Sequence, residues 1–179
     1  MADYSNLSLQ QLLNHKNDSE SWYWLGMAYM GNNDPINAIV WLEKAVGVME
    51  GVWKDKATQE LAIVYMADGH AKTNKAKALE LFKKYPERPT CNFYAGLILF
   101  YDYNEKKEGR RLVELAIDLY RKHNADLDPF TLSRISNMYR DDLEFGKAKV
   151  YLQRAVELCD ALGEDELKSF IIQDAIQDA

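Results

Sequence analysis

The sequence contains no run of about 20 consecutive apolar residues, the length that a helix needs to cross a bilayer. Residues 1–13 have neither a basic start nor an apolar stretch long enough for a secretory signal. Prolines and glycines are few, four and nine in 179 residues, which argues against long flexible linkers. We therefore expect residues 1–179 to form a single cytoplasmic domain that has no contact with a membrane.

Residues that carry catalysis or bind metals are also scarce. The two cysteines, Cys91 and Cys159, are far apart and predict reduced, buried thiols. The three histidines lie in different segments, without the spacings of a metal site. No glycine-rich loop follows a strand pattern, and neither cysteine has the local signature of a nucleophile. The sequence therefore predicts a protein that is not an enzyme and has no cofactor or metal.

Positive charge is in deficit, since the net charge is −6. An acidic chain without a basic stripe is not typical of nucleic-acid binding, which we do not expect. Residues 157–179 carry seven acidic side chains against Lys168 alone, so the excess lies at this end. Acidic residues at 164–166 are typical of a helix start, where they complement the helix dipole. The alternative is an acidic docking face for a basic partner.

The chain does contain an internal repeat, marked by Tyr29, Tyr65, Tyr101 and Tyr139 at intervals of 36, 36 and 38 residues. A period in this range predicts a solenoid of stacked helix pairs. Three residues before each tyrosine the side chain is small in three of four repeats, as a close helix crossing requires. Ile98 is the exception, and it predicts a wider crossing in the third repeat.

The second helices of the first and fourth repeats share one spacing. Ala38, Leu42 and Ala45 follow Tyr29 at offsets of nine, thirteen and sixteen residues, and residues 148, 152 and 155 follow Tyr139 at the same offsets. The second repeat has a connection four residues longer, and the third a connection one residue shorter. Similar apolar triplets therefore predict a second helix in every repeat.

Helix boundaries have their own signals. Asp34–Pro35 and Asp128–Pro129 each combine an N-cap side chain with a proline at the first helical position. Gly163 is suited to end a helix in the left-handed conformation. Apolar residues near Leu12 and after residue 164 predict capping helices at both ends of the array, whose terminal faces would otherwise be bare.

Trp22-x2-Leu25-Gly26-x2-Tyr29 followed by Ala38-x3-Leu42-x2-Ala45 resembles a tetratricopeptide repeat. The second repeat, with Gly69 in its longer loop, is more similar to the SEL-like variant. The resemblance implies an all-α fold, a right-handed solenoid of about four helix-turn-helix repeats with N- and C-terminal capping helices. The repeats would span about residues 20–50, 55–86, 90–123 and 129–160, with a C-terminal cap at 164–177.

In this family the first helices line a concave groove that binds peptides or protein segments. The resemblance therefore implies a groove formed by residues that flank the packed stripe of each first helix. Those in this sequence are Tyr23, Trp24, Met27, Met30, Gln59, Ile63, Met66, Leu99, Tyr103, Asn137 and Arg140. A compact array would instead bury several of them against the next helix. The Lys, Asn and Arg side chains that bind a peptide carboxylate in some members are replaced in the first two repeats, where Tyr23, Met27 and Glu60 occupy the matching faces.

Two functions follow from these surfaces. The first is an adaptor or scaffold that binds an apolar peptide segment or amphipathic helix of another protein in the groove. The second is a small inhibitor or immunity-type protein that occludes its partner with the acidic C-terminal surface. Either could be a monomer or a weak homodimer. The sequence leaves open whether residues 164–179 cap the stack or lie in the groove.

Overall fold

The computed structural model of the chain describes residues 4–177, and side chains as far as residue 176. Every regular element in this range is helical, which confirms the predicted all-α repeat fold. The residues form two compact units, which are described separately. The N-terminal unit, up to Pro86, contains α1 (Leu9–Asn14), α2 (Trp22–Gly31), α3 (Pro35–Val48), α4 (Gly51–Met66) and α5 (Lys75–Phe82), with a 3-10 turn at Ser19–Ser21.

The C-terminal unit begins at Glu87 and contains five further helices. They are α6 (Pro89–Leu97), continued by a π-helical turn (Ile98–Asp102), α7 (Lys106–Lys122), α8 (Pro129–Asp141), α9 (Phe145–Leu162) and α10 (Asp165–Gln177). The hairpins α6–α7 and α8–α9 make the most extensive contacts in this unit. Their apolar faces form one core that includes Phe93, Val113, Leu132 and Ile135.

The predicted boundary signals are confirmed. The Asp34 carboxylate accepts a hydrogen bond from the Asn37 backbone N–H, and the Asp128 carboxylate accepts one from the Thr131 backbone N–H. In both helices the proline follows the cap directly, at a position where an N–H would have no intrahelical partner. Gly163 ends α9 with φ of 71°, the left-handed conformation that glycine adopts without steric cost.

Small residues set the distance between the two helices of a repeat. A Cβ atom on Gly26 would lie 2.6 Å from Leu42 Cγ, and one on Gly96 would lie 2.6 Å from the Gly109 carbonyl oxygen. In the fourth repeat the buried Ser136 hydroxyl donates a 2.8 Å hydrogen bond to the Ala148 carbonyl. Larger side chains at these positions would separate the helices and remove their core contacts.

The register predicted for the third repeat is wrong. Gly96 packs against Val113 as Gly26 packs against Leu42, so Gly96 and not Ile98 is the close-contact position. Ile98 is buried and does not hold α6 and α7 apart. Tyr101 is 47% exposed, whereas Tyr65 and Tyr139 are 6% and 3% exposed. The tyrosine spacing therefore fails to identify the equivalent residue in this repeat.

The π-helical turn explains the difference. Its Tyr103 backbone N–H donates to the Ile98 carbonyl, five residues earlier, which places one extra residue in the turn. Gly96 precedes Gly109 by thirteen residues, whereas Gly26 precedes Ala38 by twelve. The insertion lies before the interhelical turn, where Asn104 and Asn33 both adopt positive φ.

Two of the repeat tyrosines connect their helix to the preceding repeat. The Tyr65 hydroxyl donates to Glu43 of α3 at 2.5 Å, and the Tyr139 hydroxyl donates to Glu114 of α7 at 3.2 Å. A lysine from the second helix of the same repeat covers each ring. Lys77 and Lys147, each one residue before the small Ala78 or Ala148, lie 4.4 and 5.1 Å from the two ring centroids.

We predict that Gly96→Ala destabilises the C-terminal unit by about 1–3 kcal/mol, because its Cβ would overlap the backbone of α7. Gly146→Ala is the control, since a Cβ on Gly146, in the first turn of α9, would contact nothing within 4 Å. Urea unfolding followed by circular dichroism measures both variants. Equal stability of the two variants would contradict the close crossing at Gly96.

We also predict a pH dependence that arises from Glu43. Hydrogen bonds from Lys77 and Tyr65 lower the pKa of this carboxyl below its ordinary value of 4.5. Its contribution to stability is therefore complete above pH 4.5 and is lost as the pH falls through the lowered pKa. Because the side chain is 44% exposed, Glu43→Gln should cost less than about 1 kcal/mol at pH 7.

The measurement is the unfolding midpoint of wild type and Glu43→Gln between pH 7 and pH 3. The difference between the two proteins should disappear at the acidic end. Glu80→Gln is the control, because the pair between Glu80 and Lys84 is exposed and the expected effect is close to zero. A difference that persists unchanged at pH 3 would contradict the assignment to the Glu43 charge.

Candidate peptide-binding surface

The predicted groove residues of the N-terminal unit lie on α2 and α4. Six of the seven are half-buried, and Tyr23 is only 8% exposed. The half-buried residues are Trp24, Met27, Met30, Gln59, Ile63 and Met66. Tyr23 is therefore buried, and the partly exposed area that the other six residues form is mainly apolar.

An aromatic cluster connects these two helices. The ring centroids of Tyr23 and Trp24 are 5.0 Å apart, and Trp53 of α4 lies 5.5 Å from the first and 5.8 Å from the second. All three pairs meet edge to face, the arrangement that aromatic rings prefer. Trp53 was missed by the sequence interpretation because the second repeat was expected to begin near residue 55. The α4 helix begins at Gly51 and so places Trp53 in its first turn.

Glu60 lies seven residues after Trp53, on the same face of α4. Burial raises the pKa of the Glu60 carboxyl. The pKa of Tyr23 is also raised, mainly by burial of its hydroxyl and to a smaller extent by the charge of Glu60. Within residues 4–176, the Glu60 carboxylate forms neither an ion pair nor a hydrogen bond. The nearest cation along the helix, Lys56, lies instead 4.6 Å from the Trp53 ring centroid.

The Trp24 indole N–H is also buried, and it has no acceptor in the described part of the chain. An unsatisfied buried donor costs about 1–3 kcal/mol, so most proteins avoid one. The α2–α4 surface therefore combines apolar side chains with two polar groups, the Trp24 indole N–H and the Glu60 carboxylate, that have no partner among the described residues.

The predicted residues of the C-terminal unit do not form a comparable surface. Leu99 is 3% exposed, so the expectation that it faces a ligand does not hold. Leu99 lies in the π-helical turn, which contains one extra residue, and Tyr103 directly after this turn is 44% exposed. The sequence pattern contains no signal for this turn.

Asn137 and Arg140 of α8 are engaged within the unit. The Asn137 amide donates to the Asp174 carboxylate of α10 at 2.6 Å. The Arg140 guanidinium Nε donates to the Asp141 carboxylate at 3.3 Å. Neither side chain is therefore freely available to a ligand in this structure.

The α10 helix packs as a cap on the C-terminal unit. Its contacts are mainly with α9 and to a lesser extent with α8. Ile171 is fully buried in the core of the unit, and Leu167 packs against the same core. Phe170, Ile172 and Ile176 remain exposed. Asp165 and Glu166 lie in its first turn, where the helix dipole favours negative charge, as predicted for residues 164–166.

Both cysteines are buried thiols that form no disulfide, as predicted. Burial raises the pKa of the Cys91 thiol to about 11 and also raises the pKa of Cys159. The thiolate, which is the nucleophilic form, is therefore rare at neutral pH. Within the described residues, no group of three His, Cys, Asp or Glu side chains is placed to hold a metal ion, and no helix is long and apolar enough to cross a membrane.

A tetratricopeptide repeat profile matches residues 19–48, which contain α2 and α3. No curated protein matches the chain. Among solved structures, MamA from Desulfovibrio magneticus RS-1, from residue 41 to its end, is 17% identical, with a TM-score of 0.61 over 86% of this chain and 82% of that one. A Podosopora anserina protein with nearly identical kinesin light chain TPR-like repeats is 16% identical, with a TM-score of 0.56 over 88% and 94%.

A second structure of MamA is 18% identical, with a TM-score of 0.61 over 87% of this chain and 89% of that one. At such low identities the similarity concerns the fold. The chain therefore has a tetratricopeptide-type helical-repeat fold, which confirms the resemblance seen in the sequence. The SEL-like assignment of the second repeat and the cytoplasmic location stay predictions.

We predict that Ile171→Ala and Ile172→Ala have very different effects, although the residues are adjacent. Ile171 is 0% exposed, so its truncation should cost about 2–5 kcal/mol. Ile172 is 37% exposed, and its truncation should cost less than about 1 kcal/mol. Urea unfolding of both variants tests this cap. Similar costs would contradict the packing of α10 on α9.

Proposed function

We propose that this protein is a non-catalytic interaction module that binds an apolar segment or amphipathic helix of a partner protein on the α2–α4 surface of the N-terminal unit. The single observation that carries the proposal is the row of half-buried apolar side chains on these two helices, chiefly Met27, Met30, Ile63 and Met66. Methionine side chains are flexible and polarizable, which suits a surface that adapts to an apolar ligand.

The repeat fold supports this function by analogy, since helical-repeat arrays present extended binding surfaces. The contrast between the two units supports the choice of site. In the C-terminal unit Leu99 is buried and Asn137 and Arg140 are engaged in internal polar contacts, so that Tyr103 alone of the four predicted residues is exposed. The N-terminal unit retains a partly exposed apolar face beside an aromatic cluster.

A second candidate is the inhibitor or immunity-type function through the acidic C-terminal surface. Glu164 and Glu166 are exposed and form no ion pair with any described residue. Because exposed charges are screened beyond about 8 Å at physiological ionic strength, binding through this surface should weaken strongly with salt. Binding through the apolar α2–α4 surface should change little with salt.

The experiment is affinity capture from a lysate of the source organism with wild type and with Met27→Glu/Met66→Glu. We expect the double variant to lose the partner, with a Kd at least about tenfold weaker, because two charges would be desolvated in the interface. Ile36→Glu/Val48→Glu is the matched control. It adds the same charges at exposed positions of α3, where the apolar side chains are 43% and 52% exposed.

A partner that is retained by the control and lost by Met27→Glu/Met66→Glu supports the adaptor function. A partner retained by both variants contradicts the α2–α4 site. If such a partner is then lost when residues 164–166 are neutralised, the inhibitor function takes its place. All variants should first show the helical circular dichroism spectrum of wild type.

A further inference from the structure

We infer that the surface around Glu60 is a recognition site for a cationic side chain, a lysine ammonium or an arginine guanidinium, carried by the bound segment. The inference rests on the proposed function for the source of the cation, because the segment that binds α2 and α4 is what would bring it there. It adds a polar specificity to a surface that is otherwise apolar.

The Glu60 carboxylate lies on the side of α4 that carries Trp53. Glu60 stands two turns after Trp53 on one face of α4, and its charge acts on Tyr23 of α2. Tyr23 and Trp53 are themselves in ring contact at 5.5 Å. The carboxylate is therefore close to the aromatic cluster of Tyr23, Trp24 and Trp53 and not on the outer side of α4.

The Glu60 carboxylate has no counter-ion among residues 4–176. Removing a carboxylate from water is costly unless it is paired and hydrogen-bonded. Glu60 is half-buried, burial is the resolved cause of its raised pKa, and no described residue pairs with it. By contrast, Glu43 and Glu114, which accept hydrogen bonds from the repeat tyrosines Tyr65 and Tyr139, are each paired with a lysine or an arginine. Glu60 therefore differs from the residues that serve the fold.

The surroundings of the Glu60 carboxylate include aromatic rings. Aromatic rings attract cations through their π faces, and the attraction is stronger where water is partly excluded. Lys56, the cation nearest to the cluster along α4, shows this preference by lying over Trp53 although Glu60 is one turn away. A second cation beside Glu60 would form an ion pair with the carboxylate and a cation–π contact with the aromatic cluster. A neutral apolar side chain would leave the carboxylate desolvated and unpaired.

The probe for the experiment is N-acetyl-lysine methylamide, with N-acetyl-norleucine methylamide as the neutral control of similar length. Binding is followed in 1H–15N spectra by the indole N–H signals of Trp24 and Trp53 at low ionic strength. We expect saturable shifts of these signals with the lysine probe and much smaller shifts with the norleucine probe. No shift with the lysine probe, or equal shifts with both probes, would overturn the inference.

Glu60→Gln is the test variant, because it keeps the size of the side chain and removes its charge. We expect its affinity for the lysine probe to fall about fivefold, which corresponds to about 1 kcal/mol. Glu80→Gln is the matched control, since it removes one charge from the same unit at a side chain that is 71% exposed. Unchanged affinity in Glu60→Gln would overturn the inference, as would an equal loss in Glu80→Gln.

A second readout separates recognition from a structural role. Glu60→Gln should raise the unfolding midpoint at neutral pH, because it removes a charge that burial disfavours in the folded protein. A lower midpoint would show that Glu60 has a structural partner and would overturn the inference. If wild type captures a partner but its indole signals do not respond to the lysine probe, the cation site alone is contradicted. If the indole signals respond to the lysine probe but no partner is captured, the proposed function is contradicted.

Discussion

The structure depends on the close crossing of the two helices in each repeat. At Gly26 and Gly96 there is no room for a Cβ atom, and at Ser136 the only side-chain oxygen hydrogen-bonds across the crossing. This short distance lets the apolar residues of the second helices, such as Leu42 and Val113, become fully buried. The remaining apolar contacts follow from this crossing, because a packed interior cannot absorb even one added methyl group without a shift of the helices.

A second interaction joins successive repeats. The hydroxyls of Tyr65 and Tyr139 each donate a hydrogen bond to a glutamate of the second helix of the preceding repeat. A lysine from the second helix of the same repeat lies over each tyrosine ring. The tyrosine thus serves apolar packing with its ring and polar pairing with its tip. Internal counter-ions are therefore normal for the glutamates that support the fold, and the unpaired carboxylate of Glu60 is notable for that reason.

The residues at matching repeat positions differ in burial between the two units. In the C-terminal unit, α10 covers the last hairpin and accepts a hydrogen bond from Asn137, and Leu99 in the π-helical turn is buried. In the N-terminal unit, the methionines of α2 and α4 are only half-buried. An apolar area gains free energy when it is removed from water, whereas a carboxylate gains only if a matching partner replaces the water.

The sequence by itself determined the helical repeat, the caps at Asp34, Asp128 and Gly163 and the burial of both cysteines, because each depends on local backbone preference or on the period of apolar residues. It also indicated the apolar face of α2 and α4. The tertiary structure decided the register of the third repeat, since a one-residue π insertion leaves no mark on composition or periodicity. It likewise decided that α10 packs on α9, that Trp53 joins Tyr23 and Trp24, and that Glu60 has no counter-ion within the described part of the chain. Each of these depends on residues that are distant in sequence and meet only when the helices pack.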